Sequence, residues 1–333
     1  MPNRKVLVTG GAGYVGSHAC YALKKAGYEP ITFDHLKKGH RELVRFGPLE
    51  VGDLGNRNEV ETLFETHSFE AVLHFAALTE VKESMEEPAR YYENNVLGTL
   101  NLLYAMRKFQ VNRIVFSSTA ATYGAPQTDL IRDDAPQVPM NPYGETKHLV
   151  EKMLKDFHQA YGLRSISLRY FNAAGALADQ HLGEAHFPES HLIPLLLDTA
   201  QGKRDAFTLF GDDYATEDGS CVRDFIHVND LASAHVLALE YLNEHSVCEG
   251  LNCSTEQGYS VKQVHALAET ITQKPIPLKI GPRRAGDPPR LVGDAKRTRE
   301  LLNWKASQSD LKTIIESAWA WHQIKDQIIA SPP

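Results

Sequence analysis

The chain has 333 residues, of which 42% are hydrophobic and 23% are charged, and its formal net charge is −7. These values are typical of a globular protein with one large or two ordinary domains. The acidic balance argues against a nucleic-acid partner, and no apolar run is long enough to predict a membrane span.

The four cysteines form no CxxC pair, and residues Met1 to Lys5 lead directly into a strand without an apolar signal region. Unpaired thiols and the missing signal predict a cytoplasmic protein with reduced cysteines.

Short apolar strands alternate with helices through the first half of the chain. The predicted strands are Lys5–Thr9, Pro30–Asp34, Leu49–Asp53, Ala71–Phe75, Arg113–Ser118 and Ser165–Tyr170. The predicted helices span 14–26, 56–66, 86–109 and 142–161. Nearly continuous apolar strands joined by helices indicate an α/β fold, a doubly wound parallel sheet of the Rossmann type.

Strands and helices no longer alternate regularly after residue 175, and 176–190 is predicted to be a loop. Further strands are predicted at Thr208–Phe210, Val222–His227 and Pro277–Ile280, with helices at 229–243, 260–272 and 309–328. We therefore expect a Rossmann domain over 1–175 and a second, smaller α/β domain over 176–333. Residues 222–243 are candidates to pack back on the first domain.

A glycine turn closes the first strand and opens the first helix. Gly10, Gly13 and Gly16 follow a GxxGxxG spacing, and Tyr14 and Val15 begin the helix. Glycines between a strand and a helix N-terminus are typical of a site for the pyrophosphate of a dinucleotide.

Acidic residues follow the next two strands. Asp34 can accept hydrogen bonds from the adenosine ribose hydroxyls, which favours NAD over NADP, although Lys37 and Lys38 could instead meet a 2′-phosphate. Asp53 and Leu54 are candidates to flank the adenine, and Asp53 could equally cap its loop.

The spacing Tyr-x-x-x-Lys occurs at Tyr21/Lys25, Tyr104/Lys108 and Tyr143/Lys147. Ligands of doubly wound sheets bind at the carboxyl ends of the strands, where helices begin. Only the third pair begins its helix, and it extends an apolar stripe by i, i+4 steps, so we expect Lys147 to point inward.

This placement predicts a redox site. A phenol with a pKa near 10 is a poor base, but a lysine ammonium and an oxidised nicotinamide both favour the phenolate. Tyr143 can then take a proton from a substrate hydroxyl as hydride leaves the same carbon, with Thr119 or Ser118 sharing the hydrogen bond.

The chain resembles the extended short-chain dehydrogenase/reductase superfamily, and within it the UDP-glucose 4-epimerases. The resemblance rests on the ordered segments 34–36, 74–77, 91–96, 117–124, 141–144, 169–172, 191–194, 222–228 and 284–287. It implies an NAD-binding domain over 1–175 and a UDP-sugar-binding domain over 176–333. It also implies inversion at C4 of a UDP-hexose through a transient 4-keto sugar, with NAD retained throughout.

The resemblance also implies roles for residues. Tyr143 would be the base, Lys147 its partner and Thr119 the hydrogen-bond partner of the substrate. The implied NAD-binding residues are Gly10, Gly13, Tyr14, Val15, Gly16, Asp34, His35, Lys38, Asp53, Leu54, Phe75, Ala76, Ala77, Asn94, Ser117, Tyr143, Lys147 and Tyr170. The implied UDP-sugar-binding residues are Thr119, Tyr143, Asn172, His191, Leu192, Thr208, Phe210, Arg223, Arg284 and Asp287.

Other functions compete with this interpretation. A 4,6-dehydratase usually has a carboxylate after the threonine of the fifth strand, where this chain has Ala120 and Ala121. Epimerisation of a UDP-pentose or a UDP-N-acetylhexosamine stays open, and Leu291 lies near a position whose bulk influences which sugars fit. A non-catalytic NAD-sensing protein would need neither Tyr143 nor Lys147.

Two weaker patterns concern metals and partners. His181, His186 and His191, with Glu184 and Glu189, suggest a metal, but their spacing shares no helical face and Pro188 interrupts it, so no metal is predicted. The apolar stripe of helix 86–109 is explained by packing, and the resemblance implies that it also forms a homodimer interface.

Overall fold

The structure is a computed structural model that describes residues 4–126, 128–284 and 287–329. A sheet of seven parallel strands forms its centre, in the order β10-β6-β5-β4-β1-β2-β3. These strands are β1 (Lys5–Thr9), β2 (Glu29–Asp34), β3 (Leu49–Val51), β4 (Ala71–His74), β5 (Arg113–Thr119), β6 (Arg164–Tyr170) and β10 (Cys248–Cys253). The predicted doubly wound α/β fold is confirmed.

Two smaller sheets lie beyond the carboxyl edge of the large one. One joins β7 (Asn172–Ala174), β9 (Val222–His227), β11 (Gly258–Ser260) and β13 (Arg290–Leu291), and the other pairs β8 (Phe207–Phe210) with β12 (Leu278–Gly281). Strand β7 begins two residues after β6 ends, so the chain passes directly from the large sheet into the smaller one.

Helices cover both faces of the large sheet and also pack against the smaller sheets. They are α1 (Tyr14–Lys25), α2 (Arg57–Thr66), α3 (Val81–Glu86), α4 (Pro88–Tyr91), α5 (Gly98–Lys108), α6 (Pro142–Tyr161), α7 (Leu192–Ala200), α8 (Val228–Glu244), α9 (Val261–Thr272), α10 (Lys296–Leu302) and α11 (Leu311–Ile328). Helix α8 packs on α1 and against β5 and β6, whereas α7, α9 and α11 pack on one another.

Helix α6 shows how the sequence sets an element boundary. The side chain of Asn141 accepts a hydrogen bond from the N–H of Gly144 at 2.8 Å, and Pro142 occupies the first turn. Gly162 ends the helix in the left-handed conformation, with φ of 71°. Cap, proline and glycine therefore explain why the predicted bounds 142–161 agree with the structure.

The predicted helix 86–109 is confirmed over 88–108, where helical residues follow one another without a break and include a π-helical turn. The chain forms α3 and α4, then a π-helical turn over Tyr92–Leu97, and then α5. The wider turn brings the buried amide of Asn95 to the backbone of Leu78 and to Thr146 Oγ1. Such local polar contacts leave no trace in apolar periodicity.

Further elements were not predicted, namely β7, β10, β11, β13, α3, α7 and α10. Strand β10 lies at the edge of the large sheet beside β6, although the sequence analysis assigned 176–333 to the second domain. Helix α7 is apolar on most of its surface and so lacks a helical stripe, while β7 and α10 are short. Within the described residues, no helix has the length and apolar character to cross a bilayer.

Candidate functional site

A cavity of about 470 Å³ lies at the carboxyl ends of the large sheet, and the smaller sheet that contains β9 supplies part of its wall. All residues predicted to bind the cofactor line it: Gly10, Gly13, Tyr14, Val15, Gly16, Asp34, His35, Lys38, Asp53, Leu54, Phe75, Ala76, Ala77, Asn94, Ser117, Tyr143, Lys147 and Tyr170. Thr119, Asn172, His191, Leu192, Arg223 and Leu291 also line it. The glycine turn and the predicted redox residues therefore share one cavity.

The glycine turn is closely packed. Gly10 has φ of 73°, and a Cβ there would lie 2.6 Å from the backbone nitrogen of Ala76. A Cβ at Gly16 would lie 2.2 Å from the carbonyl oxygen of Gly10. No side chain of the described residues caps α1 at Gly13, so the first N–H groups of this helix are available to phosphate oxygens.

The Asp34 carboxylate is buried beside this turn. Its two oxygens accept hydrogen bonds from the N–H groups of Ala12, at 3.1 Å, and Leu36, at 2.9 Å. Each oxygen keeps a second lone pair, so the carboxylate can accept the two further hydrogen bonds that the predicted ribose contact requires. Lys37 does not line the cavity, and its Nζ pairs with Asp53 at 2.9 Å.

Lys147 is buried, as its place on the apolar stripe predicts, with 2% of its surface exposed. Its Nζ donates a hydrogen bond to the carbonyl oxygen of Ser117 at 2.7 Å and lies 4.8 Å from the ring centroid of Phe116. Burial lowers its pKa to about 7, although the charge of Glu151 acts in the opposite direction. Lys147 therefore titrates near neutral pH.

Tyr143 forms a hydrogen bond with the side chain of Thr119. Burial raises the pKa of Tyr143 well above its ordinary value, and this outweighs the opposing effect of the Thr119 hydrogen bond. The expectation that Lys147 and the oxidised nicotinamide together favour the phenolate stays a prediction. The role of Tyr143 as base likewise stays a prediction.

The other two Tyr-x-x-x-Lys pairs lie away from this site. Lys25 and Lys108 are the last residues of α1 and α5, and neither pair lines the cavity. Position within the helix, rather than the motif itself, separates the three pairs.

A buried ion pair behind Lys147 was missed in the sequence analysis. Glu151 Oε2 pairs with the guanidinium of Arg169 at 2.6 Å, and Ser118 Oγ donates to Glu151 Oε1 at 2.5 Å. Glu151 follows Lys147 by four residues on the inward face of α6, and this polar residue on an apolar stripe is the signal that could have found it.

Glu184, His186, Glu189 and His191 come together, and we name them the 184–191 cluster. All of them except Glu189 line the cavity. Their ligand atoms all lie within 4.8 Å of one another. The spacing argument against a shared site is therefore wrong for these four, because a loop rather than a helix gathers them. His181 does not belong to the cluster.

Charge coupling within the cluster is strong. Burial alone would raise the pKa of Glu184, but His191 and His186 bring it below its ordinary range. Burial alone would lower the pKa of His191, but Glu184 and Glu189 raise it well above its ordinary value.

Four residues implied for UDP-sugar binding do not line the cavity, namely Thr208, Phe210, Arg284 and Asp287. They form an adjacent patch: Arg223, which lines the cavity, pairs with Asp287, and the guanidinium of Arg284 lies 4.1 Å from the ring centroid of Phe210. Ala285 and Gly286, which contributed to the resemblance, lie outside the described residues.

Comparison with known proteins identifies the family. The sequence profile of the NAD dependent epimerase/dehydratase family matches residues 6–253. The chain belongs to this family. Its relatives include the UDP-glucose 4-epimerase of Rhizobium leguminosarum bv. trifolii, 49% identical over 98% of this chain and 100% of the relative. The UDP-glucose 4-epimerase of Halalkalibacterium halodurans is 48% identical over 96% of this chain and 95% of its own.

Solved structures of the NAD dependent epimerase/dehydratase family have the same fold. The UDP-glucose 4-epimerase of Brucella ovis in complex with NAD matches with a TM-score of 0.92 and 45% identity, over 95% of this chain and 97% of that one. The enzyme of Bifidobacterium longum in complex with NAD⁺ and UDP matches with a TM-score of 0.90 and 34% identity, over 97% and 99%.

Proposed function

We propose that this chain is an NAD-dependent isomerase that inverts C4 of a UDP-hexose and so interconverts UDP-glucose and UDP-galactose. The observation that carries the proposal is one cavity that contains a dinucleotide-binding glycine turn together with Thr119, Tyr143 and Lys147. Relatives called UDP-glucose 4-epimerase, aligned over nearly the whole chain, support it. NAD is the cofactor.

The chemistry of the protein's own groups follows from their positions. When bound, NAD supplies the acceptor and the donor of hydride at C4. Tyr143 takes the proton of the 4-hydroxyl as the 4-keto sugar forms and returns a proton when the inverted alcohol forms. Thr119, hydrogen-bonded to the same phenol, orients the hydroxyl for this transfer.

Lys147 contributes to this transfer from its buried position. Its Nζ, anchored on the Ser117 carbonyl, can hold the nicotinamide ribose and fix the orientation of the cofactor beside Tyr143. With a pKa near 7 the same group can also carry positive charge during part of its time at neutral pH, which favours the phenolate.

Substrate affinity is assigned to the second domain, over 176–333. Arg223 on β9 reaches the cavity and can bind pyrophosphate oxygens, as can Arg284 next to it. Anchoring the remote UDP group supplies affinity while leaving the sugar ring free to present either face to the redox centre.

The decisive test is turnover of defined substrates. Purified chain is incubated separately with UDP-galactose, UDP-N-acetylgalactosamine and UDP-xylose, and kcat/KM is compared. The proposal expects UDP-galactose to give UDP-glucose with the highest kcat/KM. A 4-keto-6-deoxy product would instead indicate a dehydratase, and tightly held NAD without any turnover would indicate an NAD-sensing protein.

We also propose a homodimer formed through the helices over 88–108. Large hydrophobic side chains are exposed on this segment, where Tyr92 is 39%, Leu97 46% and Tyr104 38% exposed. Exposed apolar groups on neighbouring helices favour a covered interface. Light scattering at micromolar concentration is expected to give twice the subunit mass, and a single-subunit mass would contradict the dimer.

A cytoplasmic location is proposed on the chemistry of the thiols. All four cysteines lie in the described part of the chain, and each is free. Free thiols are typical of reducing compartments. Recovery of the protein in the cytosolic fraction of its own cells would support this location, and recovery outside that fraction would contradict it.

A further inference from the structure

In the 184–191 cluster, the imidazole nitrogens carry too few hydrogen atoms for every close nitrogen–oxygen contact to be a full hydrogen bond. His191 Nδ1 lies 2.9 Å from Glu184 Oε1 and 3.0 Å from Glu189 Oε1. A ring nitrogen carries at most one hydrogen, so it cannot donate fully to both carboxylates. His186 Nδ1 lies 2.9 Å from the same oxygen of Glu184. Two imidazole nitrogens and two carboxylate oxygens thus lie within 4.8 Å of one another.

A second observation concerns Glu189. Its side chain is 8% exposed, and its Oε2 is buried without a hydrogen-bond partner among the described residues. Burying an unpaired carboxylate oxygen is costly, and a bound cation is the common way to offset that cost.

We propose that the 184–191 cluster is a binding site for Zn²⁺. Its two imidazole and two carboxylate donors are groups that zinc accepts, and their number equals that of a tetrahedral site. Zinc bonds of about 2.1 Å require ligand atoms about 3.4 Å apart. The present separations range from 2.9 Å to at most 4.8 Å and so lie on both sides of that value. Both carboxylates then neutralise the dication.

The surroundings of the cluster suggest what the metal does. The carbonyl oxygen of Ala185 accepts a hydrogen bond from His40 Nε2 at 2.7 Å, and the Ser190 hydroxyl donates to Glu80 at 2.9 Å. The ring centroid of His186 lies 6.3 Å from that of Tyr14 in the glycine turn. Zinc would therefore fix a loop that contacts three segments around the proposed NAD site.

The proposed zinc site and the proposed epimerase activity are independent of each other. Coordination through Nδ1 uses only one of the two ring nitrogens of His191, so it is compatible with the predicted contact between His191 and UDP. Epimerase turnover without zinc binding would overturn the zinc site and leave the proposed function intact.

The first experiment measures metal content. The purified chain, with the NAD it retains, is stripped with a chelator, incubated with excess ZnSO₄ and desalted, and zinc is measured by mass spectrometry. We expect close to one zinc per chain and a higher Tm than in the metal-free sample. Zinc at the level of the buffer would overturn the proposal.

Variants then locate the metal. Glu189→Gln keeps the size of the side chain but removes its charge, and His186→Ala removes one donor; each is expected to lose the zinc. The matched control is His181→Asn, an exposed position on the same loop and outside the cluster, with φ of 56° that asparagine tolerates. Zinc retained in both cluster variants would overturn the assignment.

A spectroscopic measurement on the unmodified chain covers the case in which the variants fail to fold. Co²⁺ in place of zinc is expected to give the intense visible bands of tetrahedral coordination. X-ray absorption of the zinc form is expected to show nitrogen and oxygen donors with imidazole scattering. Sulfur donors, or a weak octahedral Co²⁺ spectrum, would contradict the site.

Discussion

The ammonium group of Lys147 lies inside the protein, bonded to the carbonyl oxygen of Ser117. Removing a charge from water costs free energy, which is why burial lowers its pKa to about 7. Burial likewise raises the pKa of the Tyr143 phenol, so burial disfavours the charged form of both groups. An oxidised nicotinamide beside Tyr143 would favour its phenolate, so the proposed base and the proposed cofactor site are expected to be coupled.

Replacing Tyr143 tests the proposed base directly. Tyr143→Phe is expected to retain NAD and to lower kcat by about 10²- to 10⁴-fold, the usual contribution of a general base, with little change in KM. The measurement is steady-state turnover of UDP-galactose together with the NAD content of the purified variant.

The matched control is Tyr161→Phe on the same helix, where the side chain is 51% exposed. It is expected to behave as the unmodified chain. A kcat of Tyr143→Phe within a few-fold of the control would show that another group moves the proton.

Replacing Lys147 tests the lowered pKa through stability. The pKa is about 7 in the folded chain against an ordinary lysine value of 10.5, so between these values the unfolded chain binds a proton that the folded chain lacks. The free energy of unfolding contributed by Lys147 therefore rises with pH in this window and is lowest below pH 7. The gain in Tm of Lys147→Met over the unmodified chain should be largest at about pH 6 and smaller at about pH 9.5.

Loss of the hydrogen bond to Ser117 changes the Tm of Lys147→Met equally at both pH values. The change of the Tm difference with pH is therefore the quantity to compare. Lys155→Met, at an exposed position of the same helix, is the control and should show no such trend. A Tm difference for Lys147→Met that stays constant with pH would contradict the lowered pKa.

At the scale of elements, the sequence predicts the bounds of a helix correctly where residues at the ends of that helix set them. Asn141, Pro142 and Gly162 fix α6, and its bounds were predictable from capping chemistry. Strand β10 and the π-helical turn over 92–97 were not, because a partner strand and buried amide contacts distant in sequence determine them. The same difference applies to the site. The glycine turn and Tyr143 could be predicted from neighbouring residues in the sequence, whereas Glu151 and the 184–191 cluster depend on tertiary contacts.

The cap of α6 also bears on the site, since this helix carries Tyr143 and Lys147 in its first turns. Asn141→Ala removes the acceptor for the Gly144 N–H and is expected to lower the free energy of unfolding by about 1 kcal/mol. It is also expected to lower kcat, because fraying would move the phenol away from Thr119. Denaturant unfolding and turnover are measured on the same samples.

A cap far from the site separates stability from positioning. Asp310 caps α11 by accepting from the N–H of Thr313 at 2.9 Å, so Asp310→Ala should cost similar stability and leave kcat unchanged. Equal effects of the two variants on kcat would contradict a positioning role for the α6 cap.

At the scale of the whole molecule, the cavity lies between two structural units with different tasks. The large sheet contributes the glycine turn and the redox residues, and the smaller sheets contribute Arg223 and the adjacent patch with Arg284. This division predicts that a change on the second unit alters affinity for the substrate and leaves the chemical step nearly intact. The sequence could suggest two units. The boundary between them is not a single position in the chain, because α8 and β10 pack with the large sheet.

Arg284→Ala tests whether the second unit supplies affinity for the substrate, and Arg283→Ala at the neighbouring position is the control. Arg284 stacks on Phe210, whereas Arg283 pairs with Asp213 at the surface. Loss of a charge-assisted contact to pyrophosphate is expected to raise KM by about 10- to 100-fold with kcat changed little, because hydrogen bonds to charged groups contribute about 1.5–3 kcal/mol. Arg283→Ala should leave KM near that of the unmodified chain. An unchanged KM in Arg284→Ala, or equal rises in both variants, would place the diphosphate outside this patch and leave Arg223 as its cationic partner in the second unit.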